Sequence, residues 1–135
     1  MTPMKSSPIS KQSGVLLLEA LIAILIFSLG IMALLGLQAS SIANVAQSKY
    51  RTDASYLANQ IIGKMWVDQN NLSSYQTAGY SGRAGWDNTV AKTLPAGVGR
   101  ITVTAGTTVT VVVQWKSPND INAHSYTSIA NINPS

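Results

Sequence analysis

One carboxylate, Glu19, stands near the start of an otherwise uncharged, mostly apolar stretch that runs from Gly14 to Leu37. A charge at mid-membrane costs about 2.5 to 3.5 kcal/mol even on insertion scales, so an ionisable group in such a stretch is a functional candidate by default. Two fates are open to it. Glu19 can sit protonated or reach for the membrane surface without a partner. Alternatively, in a bundle of such helices it can accept a cationic group from a neighbour, which fixes the register because a buried charge left unpaired is costly. The sequence holds no other constellation with chemistry in it. His124 is the only histidine and lies in a turn-like stretch, a surface position by default. There is no nucleophile motif, phosphate loop or metal-ligand cluster, and the Asn119-Asp120 turn offers one carboxylate where a calcium loop needs several oxygen ligands. The chain reads as a non-enzyme without cofactor or metal.

The element that must carry Glu19 is a helix. Ala20 to Leu37 spans about 27 Å at ~1.5 Å per residue, and adding Val15 to Glu19 reaches about 34 Å, enough to cross a bilayer with some tilt. Lys5 and Lys11 precede it, which by the positive-inside rule puts that end in the cytoplasm and the bulk of the chain across the membrane. A secretory signal peptide also has a basic start and an apolar stretch, and Ala39 and Ser41 offer a small-residue cleavage site after this one. The run is long for a signal, however, and an acid inside it is unusual. A plain membrane anchor tolerates Glu19 poorly.

Lys11, Gln12, Ser13 and Gly14, followed by Val15, three leucines and Glu19, resemble the prepilin leader of type IV pilins and of type II secretion pseudopilins. The resemblance covers the leader and the long helix, about half the chain. It implies that residues 1–14 are a leader peptide, that a prepilin peptidase cuts between Gly14 and Val15 on the cytoplasmic side, and that the new amine of Val15 is N-methylated. Val15 departs from the usual Phe or Met after the cut, so slower processing is expected. Met4 is an alternative start that would give a compact leader. The cut leaves an amine about 6 Å along the helix from Glu19, in the first turns, where the macrodipole favours an anion. Glu19 is then the expected subunit assembly charge pair, receiving the N-terminal ammonium of a neighbouring subunit. Leu37, Gln38, Leu57, Ala58, Ile61 and Met65 look most like PilV-type minor pilins.

The resemblance divides the chain into residues 1–14, cleaved; 15–38, the transmembrane and filament-core half of the helix; and 39–135, a head in the periplasm and then at the cell surface. It implies a minor pilin that contributes to pilus assembly or initiation, with surface adhesion as a further role. The implied partners are other major and minor pilins in a hetero-oligomer, the prepilin peptidase, and the inner membrane with its pilus assembly platform. A minor pseudopilin of a type II secretion system shares all these features and is the alternative. A membrane-anchored periplasmic binding domain is a third reading.

The rest of the sequence bounds the head. Of 135 residues, 9 are Lys or Arg and 5 are Asp or Glu, a formal charge of +4, which falls to +2 when Lys5 and Lys11 leave with the leader. That is too mild for nucleic acid, and no basic stripe with interleaved aromatics occurs. Cysteine is absent, whereas many pilins carry a disulfide near the C-terminus, so the core and neighbouring subunits must hold the head.

A single helix is expected over residues 15 to about 70. Gly30 and Gly36 interrupt its first half, either as a soft point or as small faces for close packing. In its second half Ile42, Val45, Ala46, Tyr50, Ala54, Leu57, Ala58, Ile61, Ile62 and Met65 recur at helical spacing and predict a core face. Residues 71 to about 97 are turn-rich, with Tyr75, Tyr80 and Trp86 expected to anchor an irregular loop. From about 98 the period becomes two: strands around Ile101 and Val103 and around Val109 to Trp115, a hairpin at Ala105-Gly106-Thr107, a turn at Ser117 to Asp120, and a third strand from Ser125 to Ile132. The expected fold class is α+β, a long N-terminal helix packed on a small antiparallel sheet, similar to the pilin shape.

Overall fold

The computed structural model describes residues 12–118 and 120–133. Lys5, Lys11 and both candidate start methionines lie outside them. The fold is α+β: helix α1 (Gln12–Val67), a 3₁₀ segment (Gln69–Gln76), α2 (Ser81–Thr93), and strands β1 (Val98–Thr104), β2 (Thr108–Trp115) and β3 (His124–Asn131). Compact units meet between Asn44 and Val45, and α1 contributes to both.

In the first unit, every described side chain from Gly14 to Asn44 is exposed. The helix is apolar all round, with a mean hydropathy of 2.7 over its best membrane-length window. A helix of this type has no solvent face and is long and apolar enough to cross a membrane. Ser28 donates to the carbonyl of Ile24 at 2.7 Å, so its hydroxyl is satisfied within the helix. The helix runs unbroken through Gly30 and Gly36, and a Cβ on either would meet nothing within 4 Å.

In the second unit, α1 lays a buried stripe of Ala54, Leu57, Ala58, Ile61, Ile62 and Met65 into the core. The sheet has the order β1-β2-β3, antiparallel throughout. Its inner face brings Ile101, Val109, Val111, Val113 and Trp115 to the same core, as the alternation predicts. Ile61 and Trp115 are both in that core. The hairpin turns at Ala105 (φ 53) and Gly106 (φ 77), with Thr107 N donating to Thr104 O at 3.3 Å. Two successive positive φ values are the geometry of a type I′ turn, whose twist suits antiparallel strands.

Three expectations are corrected. The helix begins at Gln12, before Gly14, and ends at Val67. Ile42 and Val45, expected on the core face, are 70% and 67% exposed, and the buried stripe starts at Ala54. At about 100° per residue they stand roughly 100° and 160° round the helix from Ile61, off the face that the stripe buries. Lastly, the turn-rich stretch contains α2. Arg83, Trp86 and Val90 fall on its buried face at helical spacing. Pro95 ends it by holding Leu94 extended at φ −113°, ψ 139°.

Candidate processing and assembly site

Gly14, Val15 and Glu19 lie in the first turns of α1. Val15 and Glu19 are four residues apart, so they share a face, and that face continues through Leu18, Ile22, Ala23 and Ile26. Val15 is 65% exposed and Glu19 is exposed too. Glu19 is thus the one acid on an apolar helical face, presented outward. An ammonium brought to that face would form a charge-assisted bond with nothing else polar to compete for it. Gly14 sits within the helix, so an extended backbone there would require the first turn to unwind. A Cβ on Gly14 would meet nothing within 4 Å, so the fold itself has no need of glycine there.

The head has polar clusters that sequence patterns did not announce. Asp68, just past the end of α1, accepts from Asn71 Nδ2 at 2.6 Å, Tyr80 Oη at 2.8 Å and Tyr75 Oη at 3.3 Å. Those bonds, that from Asn71 foremost, hold its carboxyl below the usual range against a smaller opposing effect of burial. Burial, reinforced by the Asp68 charge, pushes the Tyr75 hydroxyl up to about 12. The two tyrosine rings meet edge to face at 4.9 Å.

Arg83 is almost wholly buried and ties three elements together. Its Nε donates to Asp87, one Nη to the carbonyls of Tyr75 (2.9 Å) and Gln76 (3.1 Å), and the other to Gly99 O (3.0 Å). A third cluster joins Gln47 to the far end of the sheet. Trp115 Nε1 donates to Gln47 Oε1 at 3.1 Å, while Gln47 Nε2 donates to Asp120. Burial raises the Asp120 carboxyl, but hydrogen bonds from Gln47 and Ser117 and the adjacent His124 outweigh it and hold it low.

His124 is exposed, as expected, but it opens β3 and does not lie in a turn. Its ring stacks on Trp115 at 5.9 Å and its Nε2 lies 3.2 Å from Asp120. Each of these clusters fastens loop to helix or sheet. Tyr75 and Trp86 are buried anchors, as expected, although they anchor helical turns. Among the described residues, no group of His, Cys, Asp and Glu could hold a metal ion.

Compared with protein-family models, with curated proteins and with solved structures, the chain matches none.

Proposed function

We propose that the chain is a type IV pilin-like minor subunit, of the PilV-type kind, whose leader is removed after Gly14. The observation that carries this reading is the placement of Glu19: one outward-facing acid, one turn beyond Val15, on a helix apolar all round. A plain anchor gains nothing from that acid and is made harder to insert by it. In a bundle of like helices it receives the Val15 ammonium of the next subunit, and the pair sets the register. The α+β head that follows, a half-buried helix with a three-stranded antiparallel sheet, supports a pilin-like layout. The subunit then waits in the inner membrane with its head in the periplasm and leaves it on incorporation into a fibre.

The test uses Glu19→Ala in the full chain. Insertion stays intact, because removing the charge eases insertion by a few kcal/mol (order of magnitude). Cleavage stays intact, because Gly14 and the leader lysines remain. Incorporation into sheared surface fibres, relative to the membrane pool, falls by about two to three decades, the equilibrium equivalent of leaving an ammonium unpaired at roughly 3 to 5 kcal/mol. Equal incorporation of the variant would remove the role assigned to Glu19 and favour the anchored-domain reading.

A further inference from the structure

The two edges of the sheet are finished differently. Ile132 N donates to Thr107 O at 2.8 Å, in line with the β2–β3 register. That bond sets the phase of the ladder, because alternate residues of an antiparallel strand turn both backbone groups toward the same neighbour. Tyr126, Ser128 and Ala130 therefore face β2, whereas Ser125, Thr127, Ile129 and Asn131 turn N–H and C=O away from it. On β1 two of the outward groups are used: Val103 N donates to Gln76 Oε1 at 3.2 Å, and Gly99 O accepts from Arg83 at 3.0 Å. Along β3, no described residue caps the outward groups.

Native sheets blunt such an edge with charges, proline or a bulge. β3 has no Lys, Arg, Asp, Glu or Pro, and its pairing with β2 runs without a bulge from Thr108↔Asn131 to Trp115↔His124. Beside it, Ser48, Arg51, Thr52 and Ser55 of α1 and Tyr126 of β3 line a groove of about 390 Å³. Arg51 is exposed there with no carboxylate partner among the described residues, while Asp53 is held by Lys49 at 3.2 Å.

We propose that the open edge of β3 docks one extended strand of a partner polypeptide, which adds to the sheet and turns an acidic side chain into the groove toward Arg51. Main-chain bonds to Ser125, Thr127, Ile129 and Asn131 supply affinity, and the groove supplies specificity, as in other strand additions. Charge selects a foreign strand over a second copy. Seven of the nine basic residues but only four of the five acids lie from Val45 onward, so the head is basic. β3 has no acid to offer Arg51, and pairing β3 to β3 would put a second Arg51 on the same side of the joined sheet. This docking stands apart from processing at Gly14, and either can fail without the other.

The test places a photo-cross-linking side chain at Ile129 of the full chain in the cells that make it, with the joined peptides read by mass spectrometry. The expected product joins Ile129 to one segment of another polypeptide that carries Asp or Glu. Thr127→Pro removes an outward N–H but no bond to β2, a position where edge strands tolerate proline. It abolishes the product while the tryptophan-fluorescence melt is unchanged. Arg51→Glu, at an exposed site, also abolishes it, and changing the partner's acid to Lys restores it. Joining to the β3 of a second copy, joining only to lipid, no product, or a yield indifferent to Arg51→Glu would each overturn the proposal. Should Thr127→Pro disturb the melt, the Arg51→Glu arm decides alone.

Discussion

Trp86 Nε1 donates to the backbone carbonyl of Leu57 over 2.8 Å, which fastens α2 to the buried stripe of α1 near its start. The same indole lies where a Cβ on Gly99 would stand, so β1 passes close over its ring. One side chain thus joins α1, α2 and β1. Trp86→Ala removes that junction and typically costs about 3 to 5 kcal/mol at a buried site. In a domain with no disulfide, the full chain in detergent should lose the cooperative melt of its head, followed by tryptophan fluorescence. Gly99→Val should lower the midpoint as well, by forcing the ring aside. An unchanged midpoint in both would contradict the junction.

Ile61 and Ile42 carry the same side chain on α1 but stand about 100° apart round the helix, and Ile61 is fully buried where Ile42 is 70% exposed. Ile61→Ala should destabilise the head by about 2 to 5 kcal/mol. Ile42→Ala should stay within about 0.5 kcal/mol, as surface substitutions do. Comparable shifts would mean that the buried stripe is misplaced.

The contrast between those isoleucines marks how far the sequence could be read. Hydrophobic period two announced β1 and β2, and Ala105-Gly106 announced their turn, because these signals are local. The stripe from Ala54 to Met65 was legible for the same reason. α2 was not: Gly82 and Gly85 lower helix propensity, and no side chain caps its start at Tyr80, although Arg83, Trp86 and Val90 already had helical spacing. The ties at Asp68 and Arg83 cross irregular chain, and those of Gln47 reach Trp115 and Asp120 from the other end of the head's sequence; no periodicity encodes such partners. Glu19 was legible because a charge in an apolar run is conspicuous; the extension of the helix back through Gly14 was not.

Asp68 makes the head sensitive to acid. Its carboxyl in the folded state lies below the ordinary value, chiefly because Asn71 and Tyr80 donate to it. The stabilisation it contributes is therefore complete above the unfolded carboxylate value near ~4, and is lost as pH falls through the folded one. Asp120 acts in the same direction. The melting midpoint should be level from neutral pH down to about 5 and should drop below about 4. Asp68→Asn should start lower and drop less steeply over that acid interval. A variant with an acid slope as steep as wild type would show that Asp68 is not part of the acid response.

Gly14 has no structural duty in α1, so Gly14→Val should leave insertion and the head melt unchanged. Processing is different, because a peptidase must bring the extended backbone close to its catalytic groups, and a branched side chain at the cut obstructs that approach. The full-length precursor should accumulate in membranes. Normal maturation of Gly14→Val would detach the leader assignment from this residue.

The most direct measurement is the N-terminus of the wild-type protein recovered from membranes, read by mass spectrometry of the intact chain and its first peptide. A pilin-like subunit begins at Val15 and carries one methyl group on its amine. A chain still beginning at Met1 or Met4 would show an uncut anchor, and one beginning beyond Ala39 or Ser41 would show a secretory signal; either result contradicts the account.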